Sequence, residues 1–201
     1  DLHLSLRRQR QMCIRDRSNE KLYSYKDLIE LGTSLKKGWD YHGFFIDPYN
    51  SLKKDSELLK GLGGHEYDYA ACSEFRVFCR KNNVSIWLTT HANTEAARKK
   101  HTVNEKYAGY SMPPSGSDVE GGSKFVNKAD DFLIFHRYKN HSQDWNITYI
   151  NVEKIKEIEN GGLPTSKDNP IELWLTNDNT VFNINGQDVL QIVKTSSKQP
   201  F

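Results

Sequence analysis

Chemistry first becomes available in this sequence where an apolar run ends on a carboxylate. Gly43-Phe44-Phe45-Ile46-Asp47-Pro48-Tyr49-Asn50 reads as a buried strand that closes on Asp47, with a turn and the polar Asn50 directly after it. Ligands of open α/β sheets sit just beyond the carboxyl ends of the strands. An aspartate in that place suits a nucleotide-bound Mg²⁺. Strands ending in Asp-Pro are also common without any metal role. His91 lies 44 positions later, at the end of the next apolar run, residues 84–90. A polar residue there can touch a γ-phosphate and report its loss to the loop that follows. The plain alternative is a histidine that caps a strand through hydrogen bonds.

Two further segments carry donors. Residues 92–118 form a long loop with Arg98, Lys99, Lys100, His101 and Lys106, and then Pro113-Pro114-Ser115-Gly116-Ser117. Cations on a flexible loop suit the backbone of single-stranded nucleic acid, where phosphates dominate affinity. Only Tyr107 and Tyr110 are at hand for base stacking. A solvated charge run is the usual meaning of such a cluster. Gly121-Gly122-Ser123-Lys124-Phe125-Val126-Asn127-Lys128-Ala129-Asp130-Asp131 follows. Its glycines permit close backbone approach, and Lys124, Asn127 and Lys128 offer donors to phosphate. Spacing alone makes this a capped helix.

The elements that must position these residues follow from periodicity. Ser24-Tyr25-Lys26-Asp27 has capping-box form, and Leu28, Ile29, Leu31 and Leu35 continue at helical spacing to a stop at Gly38. Gly61, Gly63 and Gly64 predict a mobile loop. Tyr67, Ala70, Ala71, Phe75, Phe78 and Cys79 line one face of a second helix, closed by Lys81-Asn82-Asn83. Strand, helix and strand over residues 43–90 make a βαβ unit with a parallel sheet. A short helix over residues 124–129, strands over 132–135 and 145–152, and a terminal hairpin joining 171–175 to 181–184 through Asn177-Asp178-Asn179 complete the reading. The last residues, 190–201, read as a flexible tail.

Taken in order, Asp-Pro-Tyr-Asn-Ser-Leu, Ile-Trp-Leu-Thr-Thr-His and Gly-Gly-Ser-Lys-Phe-Val-Asn-Lys-Ala-Asp-Asp resemble the ATPase core of replicative ring helicases. The likeness is to the phage primase-helicase and Twinkle-like branch of the DnaB superfamily, over roughly residues 40 to 175. It implies an α/β, RecA-like core, partial here, whose mostly parallel sheet is flanked by helices and followed by a C-terminal β-hairpin. It implies ATP and Mg²⁺ as cofactors, single-stranded DNA as partner, a homo-oligomer (a hexameric ring) and a primase domain or primase partner. Asp47 matches the Walker B aspartate that holds Mg²⁺, with Asn50 beside it at the nucleotide, and His91 matches the γ-phosphate sensor. The loop with Arg98, Lys99, Lys100 and Lys106 matches a DNA-binding loop, joined by Lys124, Asn127 and Lys128. The family's Lys-x-Arg pair, which reaches the neighbouring subunit's ATP, is matched by Lys154 and Lys156. A lysine at the second position lacks the bidentate fork of a guanidinium, and Arg137 is the substitute at the nucleotide. As a run of residues, Lys154 and Lys156 are equally charges that keep a strand edge from aggregating.

Two observations set the expected limits. No Gly-x-x-x-x-Gly-Lys-[Ser/Thr] phosphate loop occurs in the 201 residues. Asp1 to Arg17 resembles the translated sequencing-adapter sequence found at the ends of metagenomic reading frames, a basic nucleic-acid-binding arm being the alternative. The expectation is therefore a truncated core over residues 18–189 that cannot hydrolyse ATP appreciably. Measurable turnover would overturn it. Other readings are a RepA- or recombinase-type RecA-like ATPase, which fits the Gly-Ser to Ala-Asp segment less well, and an inactive nucleic-acid-binding or assembly module.

Composition agrees with a polar globule. Net charge is +2, so nucleic-acid contact must come from local patches. Nine Phe, four Trp and ten Tyr are enough to build a core. Mean hydropathy is −0.75, and no apolar run reaches the length of a membrane span. Cys13, Cys72 and Cys79 have no metal-ligand spacing and suit a reducing cytoplasm, bacterial or phage-infected.

Overall fold

The computed structural model describes residues 22–120, 123–176 and 178–196. The first seventeen residues, Cys13 among them, Gly121, Gly122 and Asn177 lie outside the described residues. The chain is α/β and divides into two compact units, one reaching Gly63 and including Glu74–Thr89, the other comprising Gly64–Ser73 and the residues from Thr90 on.

In the first unit, helix α1 (Tyr25–Lys36) starts where the capping box predicts. Ser24 Oγ accepts from the Asp27 amide at 3.2 Å, and Asp27 accepts from the Ser24 amide at 2.8 Å. Strand β1 (Gly43–Ile46) follows. Helix α2 (Ser56–Asn82), of which Gly64–Ser73 belongs to the second unit, is capped by Asp55, whose carboxylate accepts from the amides of Glu57 and Leu58. The glycine cluster is thus not a loop. Only Gly63 leaves the helical region, at φ 75° and ψ 163°, and it kinks the helix. Asn83 ends α2 in the left-handed region at φ 50°.

Strand β2 (Ser85–Leu88) then pairs parallel with β1, Phe44 opposite Ile86 and Ile46 opposite Leu88. The predicted βαβ unit forms because α2 supplies the long crossover that parallel pairing needs. Tyr41, Phe78 and Val84 make its core, with Ile29, Phe44 and Ile86 packed against them. Gly32 lets this core close: a Cβ there would stand 2.8 Å from Phe78 Cζ.

In the second unit, α3 (Thr94–Arg98) and α4 (Lys124–Lys128) precede strands β3 (Asp131–His136) and β4 (Ile147–Ile155). A short helix α5 (Ile158–Gly161), strands β5 (Ile171–Leu175), β6 (Phe182–Ile184) and β7 (Gln187–Asp188), and helix α6 (Val189–Ser196) complete it. The strands form one five-stranded antiparallel sheet in sequential order.

The expected mostly parallel sheet is therefore corrected to two parallel strands and five antiparallel ones. The link over residues 137–146 is shorter than the roughly dozen residues a parallel crossover needs. The terminal hairpin of β5 and β6 is as expected. The expected tail beyond residue 189 is helical through Ser196, started by Asp188, whose carboxylate accepts from the Leu190 amide at 2.8 Å. Among the described residues, no helix is long and apolar enough to cross a membrane.

Candidate functional site

Asp47 lies directly beyond the carboxyl end of β1 and is exposed. Its partner is Thr89, directly beyond the carboxyl end of β2, whose hydroxyl donates to Asp47 Oδ1. Backbone bonds hold the two strand ends in register: the Thr89 amide donates to the Ile46 carbonyl at 3.0 Å, and the Tyr49 amide donates to the Thr89 carbonyl at 2.9 Å. A carboxylate and a hydroxyl are brought together at the sheet edge where α/β folds bind ligands. Both are hard oxygen donors, which suits a nucleotide-borne Mg²⁺ that needs only one or two protein oxygens. Asn50 sits half-buried in the turn Tyr49–Ser51. Among the described residues, no group of three His, Cys, Asp or Glu could hold a metal ion by itself.

His91 lies three residues beyond the end of β2, in the second unit, whereas Asp47 belongs to the first. The carbonyl of His91 accepts from the Glu120 amide at 3.0 Å, and Ala92 bridges Val119. The base of the long loop is closed there.

The loop is not a free cationic arm. Bridges between Lys100 and Ser111 and between His101 and Ala108 fold it back on itself. Arg98 pairs with Glu95 at 2.7 Å, Lys99 with Asp118 at 2.6 Å, and Lys106 with Asp144 at 2.8 Å. Lys100 donates to the Ser111 hydroxyl at 2.8 Å. Three of the loop's four expected DNA-binding cations thus carry an acidic partner from their own chain. The sequence hides this because Asp118 and Asp144 lie 19 and 38 positions away from their lysines. Asp118 is buried, and its hydrogen bond from Lys99, with those from Ser115, holds its carboxyl down at about 2.

What fastens the loop is a cluster of tyrosines and histidines that the sequence reading missed. Tyr107 stacks on Tyr138, centroids 3.8 Å apart and planes 16° from parallel. The Tyr107 hydroxyl donates to Asp144 Oδ2 at 2.8 Å, so at 2.5 Å from the Tyr149 oxygen it must accept. His101 lies between Glu105, 2.9 Å from Nδ1, and the Tyr138 hydroxyl, 2.8 Å from Nε2. Both ring nitrogens are thus within hydrogen-bond distance of a side-chain oxygen. Tyr110 donates to the Asn140 carbonyl at 3.1 Å.

Burial pushes the phenols of Tyr107 and Tyr138 up to about 12 and raises that of Tyr149. The Asp144 carboxyl is lowered chiefly by its bond from Lys106. The two tyrosines that could have stacked on bases are half-buried and engaged by the protein's own rings and polar groups. Ten tyrosines in 201 residues were the only available signal.

The remaining expected residues lie around α4 and the end of β4. Asn127 is exposed and Lys124 half-buried. The Lys128 ammonium sits 3.9 Å from the centre of the Tyr69 ring, a cation–π contact. Arg137 Nε donates to the Trp145 carbonyl at 2.7 Å. Lys154 donates to the carbonyls of Val126 and Ala129 at 2.8 Å each and of Asn127 at 3.3 Å. Lys156 pairs with Asp130 at 3.0 Å. Glu153 accepts from the Gly116 amide at 2.7 Å, and Gly116 has no room for a Cβ, which would stand 2.7 Å from Val126 Cγ2. No protein-family model matches the chain, and no curated protein matches it.

Proposed function

We propose that the chain is part of an ATP-dependent motor of the replicative ring-helicase type, acting on single-stranded DNA. The observation that supports this most is the pairing of Asp47 with Thr89 across the carboxyl ends of two parallel strands. In this reading Asp47 holds the Mg²⁺ of ATP, with Thr89 fixing the carboxylate and Asn50 in the adjoining turn. ATP hydrolysis between subunits of a ring supplies the work. His91 opens the loop that carries Arg98 and Lys100, the two cations without a buried acidic partner. The loop meets phosphates on a surface continued by Lys124, Asn127 and Lys128. No Gly-x-x-x-x-Gly-Lys-[Ser/Thr] phosphate loop occurs in the 201 residues, so in this reading the chain supplies the Mg²⁺ side of the nucleotide site.

Two measurements on the chain test this. Mn²⁺–ATP added to ¹⁵N-labelled protein is expected to broaden the amide signals at Asp47 and Thr89 first, and Asp47→Asn should abolish the effect. Broadening centred elsewhere sinks the nucleotide site. A fluorescent oligothymidylate should bind with salt-dependent affinity. Replacing Arg98 and Lys100 by Gln should reduce the log–log salt slope by about 1.4 if each meets one phosphate. An unchanged slope removes the loop from the DNA surface.

A second reading, a nucleic-acid-binding or assembly module without ATPase activity, is favoured by one observation. Lys154 and Lys156, the expected contacts to a neighbour's ATP, are both engaged by their own chain.

A further inference from the structure

Lysine carries three N–H donors and no acceptor. The three carbonyls that Lys154 Nζ meets, those of Val126, Asn127 and Ala129, use all of them. They are the carbonyls at the C-terminal end of α4, which helical bonding leaves without partners and where the helix dipole is negative. The Ala129 amide donates back to Phe125 at 2.8 Å and closes the turn. Lys156 differs: it meets one carboxylate, and both side chains are about half exposed, at 48% and 58%.

Glu153, next to Lys154 on β4, holds the Gly116 amide. The Gly116 turn is capped reciprocally by Ser115 and Asp118, and Asp118 takes Lys99. One strand end thus fixes both the short helix bearing Lys124, Asn127 and Lys128 and the foot of the basic loop.

From this geometry we infer that Lys154 is a positioning residue: it clamps the carbonyl end of α4 and thereby orients Lys124 and Lys128 toward a polyanion, and makes no contact with nucleotide or nucleic acid itself. The orientation of α4 toward a polyanion rests on the DNA-binding reading above, while the clamp does not.

The test uses the full chain, Lys154→Met and hydrogen exchange. Amides of residues 126–130 should exchange faster in the variant, while those of β5 and β6 stay unchanged. Unaltered exchange at 126–130 overturns the clamp. Oligothymidylate affinity should fall about five- to tenfold, the scale of losing charged hydrogen bonds. That loss should vanish when Lys124 and Lys128 are already Gln, because Lys154 then has nothing to orient. A loss that persists in full in that background means Lys154 touches the phosphates directly and overturns the proposal. Faster exchange with unchanged affinity reduces Lys154 to a structural cap and also overturns it. A wild-type chain that binds no oligonucleotide refutes the DNA reading, and the exchange result still decides the clamp.

Discussion

Replacing Tyr107 by Phe isolates what holds the basic loop in place. The ring remains, so its stack on Tyr138 at 3.8 Å survives. What disappears is the hydroxyl that donates to Asp144 and accepts from Tyr149. A hydrogen bond to a charged group contributes about 1.5–3 kcal/mol. Asp144 keeps Lys106 at 2.8 Å, so its charge is not orphaned. The low end of the range, about 1.5 kcal/mol, therefore applies.

With an m-value of about 2 kcal/mol per molar urea, the unfolding midpoint should fall by about 0.8 M. Hydrogen exchange over residues 99–112 should quicken in parallel, because the loop loses a tether. Tyr107→Leu removes the stack as well and should cost a further ~1 kcal/mol. The assay is urea unfolding followed by tyrosine fluorescence. A shift below about 0.2 M for Tyr107→Phe would show that the hydroxyl gains nothing over water, and the cluster could not be what fixes the loop.

Acid should loosen the same region. Burial, reinforced by the nearby His101, lowers the pKa of His136 from its ordinary 6.5, and its Nε2 is buried without a partner. The unfolded chain therefore takes up a proton near pH 6.5 while the folded one resists. Stability is full above that value and declines as pH falls below it. In His136→Gln this decline, read as urea midpoint between pH 7 and 5, should shrink. Asp118, held at about 2 by Lys99 and Ser115, adds stability above its ordinary 3.8 that is lost as pH falls from 4 toward 2, and Asp118→Asn should flatten that limb. Gly32→Ala should destabilise the first unit by about 1–3 kcal/mol through overpacking against Phe78, outweighing the gain in helix propensity of roughly 1 kcal/mol. Ser24→Ala should cost about 1 kcal/mol by removing the cap of α1; an unchanged thermal midpoint would count against the capping box.

Much of the first unit was legible because its signals are local. Ser24 and Asp27 are three apart, and the cap they predict is the cap observed. The apolar runs ending at Ile46 and Leu88 pair in parallel because a long helix separates them. The glycines near residue 61 misled because helix cooperativity, begun at the Asp55 cap, carries through Gly61 and yields only at Gly63. Strand positions in the second unit were also legible. Beyond the terminal hairpin, the antiparallel pairing of β3 with β4 and of β4 with β5 was not foreseen, although the short link over residues 137–146 was the available clue.

The sequence by itself determined where elements start, where carboxylates and cations fall, and that the chain is α/β. Tertiary structure alone decided what those charges do. Thr89 meets Asp47 across 42 residues, Lys99 finds Asp118 across 19, and Lys154 reaches back to Val126 across 28. Local spacing cannot reveal such partners, since they are chosen when the chain closes, and a buried group such as Asp118 must then find a mate or lose its hydration. A cation that reads as free in sequence can therefore be, in the fold, a helix cap.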